Sequence, residues 1–506
     1  MKVRKKILAF TAIAASIIAL ATVVLVLVSD NTLKNAGKAC DTISITAEYD
    51  TAAHKLTASQ SIKYTNRTGM PLSAVKFHIY ANAYKDGAKN PPVNPSEVPQ
   101  AYPNGKNFGG ITVANLWAGG QKVIPVIGGD DDTVLTVNLG TPLGIRKAAK
   151  IDIDYVVQLA NIKHRLGWTA DTVNLANFYP VPCVFENGEW QTYPYSASGD
   201  PFYNDLHNFC VRITAPREYV VAASGTVMKA KKSGDSGGKK TTHLDATAIR
   251  DFAAVLSPHF KLVTRMVKKT AVKYYYINDA EPRKSLDTSC KALSTFSDMF
   301  TKYPYKQLSV VQTDFLHGGM EYGELVYVSR AFLNPDDGKK PSREDHDRVI
   351  IHEIAHQWWY GLVGNNQTRN AWIDEGLAEY STLLFYDRHP EYNVNHAEYV
   401  DNARRNYSAY VKLIRGVGGE LDTTMNRDLG AFNSSYEYVF MTYVRGLLLF
   451  CDLETILTRA KLTAALSDFA EHTKFGIGTQ AKLVACIEHT TKAKVGVFFE
   501  SYLGGF

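Results

Sequence analysis

The sequence predicts a multidomain α+β fold: an N-terminal membrane anchor helix, a β-rich module, and a mainly helical module that carries the chemistry. Three observations predict it. Residues 7–28 form a nearly unbroken apolar run behind a basic leader. Residues 43–261 alternate apolar and polar side chains with period two between frequent turn signals. From residue 262 the apolar spacing becomes helical. A strand-rich stretch followed by a helix-rich one indicates separate domains, and 506 residues exceed a single hydrophobic core.

The leader holds Lys2, Arg4, Lys5 and Lys6, and the run from Ile7 to Val28 is interrupted only by Thr11, Ser16 and Thr22. As a helix it spans about 33 Å, enough for the hydrocarbon core of a bilayer. A cleaved signal peptide has a shorter apolar region of ~7–15 residues, although Gly37-Lys38-Ala39 offers a weak cleavage site. Residues 1–29 are therefore expected to be an uncleaved single-pass anchor, basic end in the cytoplasm and the remainder outside, joined by a tether at 30–42. Cleavage would make the protein secreted.

Composition is ordinary for a globular chain, 45% hydrophobic and 21% charged. Four of the positive charges behind the net +6 lie in the leader, leaving +2 for the rest. That excludes a nucleic-acid footprint, which needs clustered Lys and Arg on one face. Six cysteines do not make a disulfide scaffold. Cys183 and Cys210 flank a β-rich stretch and could pair outside the cell; Cys451 reads as a buried helix thiol.

In the first module, Ile43–Tyr49 and Ala74–Tyr80 alternate as half-buried strands, and turns are signalled at 66–69, 119–122 and 128–131. Residues 229–240, rich in Lys, Gly and Ser, read as a solvated hairpin loop. In the second module, Leu286, Leu293, Phe296 and Phe300 share a helix face, residues 308–312 form a short strand, and much of 342–503 has helical spacing.

The chemistry centres on residues 349–360. His352 and His356 are four apart, so on a helix both imidazoles project from one face and can chelate one ion. Zinc suits imidazole and carboxylate donors, with three protein ligands and a fourth position for water in catalytic sites. Glu353 follows the first histidine, where the H-E-x-x-H motif puts a general base. Alone, the motif equally describes a satisfied pair of helix histidines. The subclass with a third histidine needs Gly and His where this chain has Trp359 and Leu362, so it is excluded. Eighteen residues separate His356 from Glu375, which lies beyond a plausible turn at Gly364-Asn-Asn, where a second helix can bring it to the first. Glu379, one turn on, is able to orient a ligand histidine or to be merely solvated.

H-E-x-x-H, eighteen residues and Glu together resemble the gluzincin zinc aminopeptidases, the family of membrane alanyl aminopeptidase and leukotriene hydrolase, here in a short bacterial-type form. His317-Gly-Gly-Met-Glu-Tyr322 resembles the family's G-x-M-E-N through Gly318, Met320 and Glu321, with Tyr322 in place of Asn. Thr442-Tyr-Val-Arg-Gly446 resembles its Y-x-K-G, with Arg445 in place of Lys. Residues 77–84, 199–203 and 250–253 look like further landmarks.

The resemblance implies a β-sandwich-like saddle domain at 43–261 and a thermolysin-like zinc peptidase domain at 262–506. It implies one Zn(2+) per chain on His352, His356 and Glu375, with Glu353 as base and Tyr443 as oxyanion donor, Tyr436 and Tyr438 being the competitors. Glu321 would bind a substrate's free α-amino group, with Gly318, Gly319 and Met320 lining the peptide. A second amine-binding residue is expected from the saddle domain, near Asn174 or Asn177. The chain stops near the end of the catalytic domain, so a more open site than in longer relatives is expected. The implied activity is a membrane-anchored zinc aminopeptidase acting on peptides with a free N-terminus. An endopeptidase and a catalytically silent binding protein on the same fold are the alternatives.

Overall fold

The computed structural model describes residues 32–228, 237–335, 338–419 and 421–504. The expected anchor at 1–29 lies outside them, as does most of the 229–240 loop. Among the described residues no helix is long and apolar enough to cross a membrane.

The alternating sequences of the first module form an eight-stranded sheet. Thr42–Asp50 buries Ile43, Ile45, Ala47 and Tyr49 on one face and exposes the residues between them. It pairs antiparallel with Lys55–Thr65 and parallel with His207–Pro216. Two four-stranded sheets and a short two-stranded hairpin join it among the described residues, one of the four-stranded sheets holding Val173–Ala176 against Ala253–Ser257. Cys183 and Cys210 are both free thiols, so the expected option of a disulfide between them is not realised.

Lys261–Val267 begins a new five-stranded sheet, continued by Thr270–Tyr276, Gln307–Thr313, Leu325–Ser329 and Gly319–Met320 in spatial order. The last is an edge strand, antiparallel to Leu325–Ser329. The helix Pro282–Met299 follows the first hairpin of this sheet, and the helices Arg343–Ala355 and Gln367–Arg388 follow its last strand. One continuous apolar core runs from the first module's sheets into these helices.

The joint between the modules is polar and buried. Arg250 donates to the carbonyls of Asn204, Tyr360 and Gly476 at 3.0, 2.7 and 2.6 Å, linking three separate segments. Gly364 has to be glycine, because a Cβ there would collide with that guanidinium. Asp251 accepts from the Tyr360 hydroxyl and from Gly323 N. Burial raises its carboxyl to about 6, against the opposing effect of these donors and of Arg250.

The helix Arg343–Ala355 is anchored at both ends. Ser342 caps it by accepting from Asp345 N at 3.1 Å. Arg343 pairs with Asp279 at 2.5 Å and donates to Ser285 Oγ at 2.6 Å, tying the helix start to Pro282–Met299. Just past its other end, Trp358 Nε1 donates to Thr301 O and Trp359 Nε1 to Ser381 Oγ. Both indoles are buried with their polar atoms satisfied, which fixes the helix axis and so the direction of its histidines.

Candidate metal centre and peptide cleft

His352 and His356 lie on one face of the capped helix, His356 continuing its helical backbone. Their Nε2 atoms are 3.1 Å apart, and each lies 3.3 Å from Glu375 Oε2. All three residues are buried. His356 Nδ1 is 2.9 Å from the Trp359 carbonyl, an acceptor only, so Nδ1 carries the hydrogen and Nε2 presents its lone pair. His352 Nδ1 is 3.0 Å from Glu379 Oε1, which favours the same tautomer. Three electron-rich atoms thus converge on one point, an arrangement that calls for a cation between them.

The electrostatics agree. Burial opposes charge on both rings, yet Glu375 and Glu379 raise His352 to about 9, and Glu321 and Glu375 raise His356 well above its usual range. Burial likewise opposes charge on Glu375, but His356 and His352 hold it down at about 2. With two nitrogens and one carboxylate oxygen, the donor set fits zinc with a coordination position to spare.

Glu379 is buried rather than solvated, and also takes Tyr399 OH and Arg348 Nη1 at 3.3 and 3.4 Å. Glu353 projects from the ligand helix toward Gly319 on the edge strand. A Cβ on Gly319 would lie 2.5 Å from the Glu353 Cδ, so only glycine leaves room for this carboxylate. Burial lifts Glu353 to about 7, with His352 and His356 pulling the other way. Its Oε2 has no partner among the described residues.

Tyr443 reaches the same point from a third element. Its hydroxyl donates to Glu375 Oε1 at 2.5 Å, and its ring stacks on His352 at 5.7 Å. It sits in a single π-helical turn, Phe440–Val444, a distortion often found at functional sites. The helix Arg445–Leu457 crosses Gln367–Arg388 at Gly446 and Gly376. A Cβ on Gly446 would be 2.8 Å from the Gly376 Cα, so two glycines set the close approach that delivers Tyr443 to Glu375. Arg445 is buried and donates to the Thr423 and Tyr502 carbonyls. Of the competitors, Tyr436 is 77% exposed, and Tyr438 packs edge-on against Tyr443.

Glu321 is buried beside this centre, together with Met320. Its carboxylate, with Glu353 and His356, forms a second cluster of potential ligand atoms. Burial and then the neighbouring Asp200 push Glu321 well above the usual carboxylate range. Gly318 adopts φ +90°, a turn that aims the edge strand at the cleft.

Asn174 does not face this space. Its amide is consumed by the His164 and Asp314 carbonyls and by Thr313 Oγ1. Asn177 lines a small cavity with Tyr80 and Arg165. The acidic neighbour from the first module is Asp200, which accepts from Arg165 Nη2 at 2.5 Å. Arg165 Nε meets Met320 Sδ at 3.3 Å, so this pair abuts the edge strand. Arg165, Asp200, Gln367 and Asp374 were missed by the sequence reading. Of these, only Asp200 lay in a noted landmark, and Asp374 next to a ligand.

Residues 284–502 match the Peptidase family M1 domain. The chain is 26% identical over 228 residues to Aminopeptidase N of Lactobacillus helveticus, covering 43% of this chain and 26% of that protein. It is 27% identical over 179 residues to Aminopeptidase N of Acetobacter pasteurianus, covering 34% of this chain and 50% of that protein. The alignments thus span between a quarter and a half of these two relatives. The fold is similar to the crystal structure of an M1 zinc metallopeptidase from Deinococcus radiodurans, with TM-score 0.60 and 15% identity over 92% of each chain. A mutant of that protein bound to a Tyr-Ser-Ala substrate is similar at TM-score 0.62 and 16% identity, over 92% of this chain and 94% of that one.

Proposed function

Residues 284–502 belong to peptidase family M1, and on that premise we propose that the chain is a zinc aminopeptidase releasing residues from the free N-termini of peptides. The observation that carries the exopeptidase part is Glu321, a buried carboxylate next to the three converging donors. Burial penalises negative charge on Glu321, and a peptide's α-ammonium would offset that penalty.

A zinc ion held by His352, His356 and Glu375 would polarise the scissile carbonyl and lower the pKa of a water toward ~7. Glu353, with an unpartnered oxygen, takes the water's proton and returns it to the departing amine. Tyr443 turns its hydroxyl from Glu375 to the oxygen that gains charge at the scissile carbon. The free side of the edge strand Gly319–Met320 accepts the substrate backbone as an added strand. Glu321 then fixes where the N-terminus stops, so cleavage follows the first residue.

A pair of aminoacyl reporters differing only in N-acetylation tests this reading. The acetylated one is expected to be cleaved at least about 100-fold less efficiently, the cost of leaving a buried charge unpaired. Equal cleavage of both would make the protein an endopeptidase.

We also infer that the apolar run at 7–28 anchors the enzyme with its catalytic part outside the cytoplasm, on its basic leader and length. Protease added to intact cells should then release the catalytic part; a catalytic part protected until lysis would refute this topology.

A further inference from the structure

Gln367 is the first residue of the second ligand helix, just inside its Asn366 cap, and its side chain is buried. Its Nε2 donates to Glu321 Oε1 at 2.7 Å and to Asp374 Oδ2 at 2.7 Å. An amide nitrogen has two hydrogens, one for each carboxylate. The reversed amide would set its oxygen against two acceptors, so only one orientation is tolerable. Asp374 Oδ1 takes Asn365 Nδ2 at 2.7 Å, so both of its oxygens are occupied. Glu321 accepts no other side-chain hydrogen bond among the described residues, which leaves one oxygen for a ligand.

The bridge also crosses a backbone irregularity. Asn370, between Gln367 and Asp374, is non-helical at φ −130° and ψ 41°. The residue after Asp374 is the ligand Glu375. One amide thus ties the edge strand of the sheet to the segment that presents a metal ligand.

We propose that Gln367 is a positioning residue for substrate recognition: it holds Glu321 in the rotamer that receives the α-ammonium and registers it against the Glu375 segment. This deepens the aminopeptidase reading and rests on it. Without the bridge, two buried carboxylates lose their shared donor, and Glu321 is free to turn away from the substrate or to take up a proton.

The test is a double-mutant cycle on the zinc-loaded full chain. Gln367→Met keeps the length of the side chain and removes both donors. It is made in the wild-type and Glu321→Gln backgrounds and assayed with free and N-acetylated reporters. In the wild-type background KM for the free reporter should rise about tenfold, with kcat changed less than about threefold. In the Glu321→Gln background the same substitution should alter kcat/KM less than about twofold, because the group it acts through is gone.

Equal effects in both backgrounds, or a fall in kcat together with zinc content at constant KM, would overturn the proposal and leave Gln367 as a brace for the kink. If Gln367→Met does not fold, Gln367→Asn carries the test. Its amide, one methylene shorter, cannot span both carboxylates and must show the same dependence on background. Failure of the aminopeptidase reading looks different: wild type then cleaves both reporters equally, whatever the cycle shows.

Discussion

Glu353→Gln is expected to lower kcat by about a thousandfold while leaving bound zinc at the wild-type level, since proton transfer by a positioned base contributes ~100- to 10,000-fold. Glutamine matches glutamate in size and fills the space opposite Gly319, so the cleft keeps its shape. What it loses is the ability to take a proton. The three donors, His352, His356 and Glu375, remain at their present spacing. Metal analysis beside single-turnover kinetics checks both halves of the expectation. Activity within tenfold of wild type would assign the base elsewhere; loss of zinc would mean that Glu353 also holds the metal. Chelation should silence wild type and variant alike.

Tyr443→Phe is expected to cost about 2.7–4 kcal/mol of transition-state stabilisation, roughly 100- to 1,000-fold in kcat, with KM little changed. The ring stays stacked on His352, so the loss is confined to the hydroxyl. In the resting protein that hydroxyl bonds Glu375 Oε1 at 2.5 Å, and it has to leave that partner to serve the substrate. Tyr438→Phe is the control. Tyr438 meets Tyr443 by its ring edge, so removing its hydroxyl should change kcat less than about tenfold. A Tyr438 variant slower than the Tyr443 variant would reverse the assignment.

Much of the donor set was legible because its spacing is local. A spacing of four puts both histidines on one helix face in any fold, and a carboxylate three residues before the second lies near that face. Glu375 was legible for a weaker reason: only a family pattern joined it to the histidines across eighteen residues. The alternation at 43–49 was also readable, since a strand with one buried face repeats every two residues. The glycines of the motifs acquired a reason only in three dimensions. Gly319 makes room for Glu353, and Gly446 packs on Gly376; neither contact is encoded within a short window of sequence.

The expectation for the second amine-binding residue shows where pattern fails. Asn174 and Asn177 lie in the stretch where the family resemblance pointed, yet one amide is spent on backbone carbonyls and the other lines a small cavity beside Arg165. The acidic group that reaches Glu321's surroundings is Asp200, brought there by Arg165 and by Gly199 packed on Tyr438. Such a position depends on how two modules dock, which no periodicity records.

By itself, then, the sequence determined the residue types of the centre, the helix face they share, the change from β-rich to helical texture and the family resemblance. All of these follow from spacing within one element or one motif. Tertiary structure alone decided which oxygen meets which nitrogen, which tyrosine of three sets its hydroxyl on Glu375, and that Gln367 and Asp200 belong beside Glu321. The reason is physical: backbone periodicity sets direction within an element, whereas contacts between elements arise only when buried apolar faces bring distant segments together and buried polar groups must then find partners.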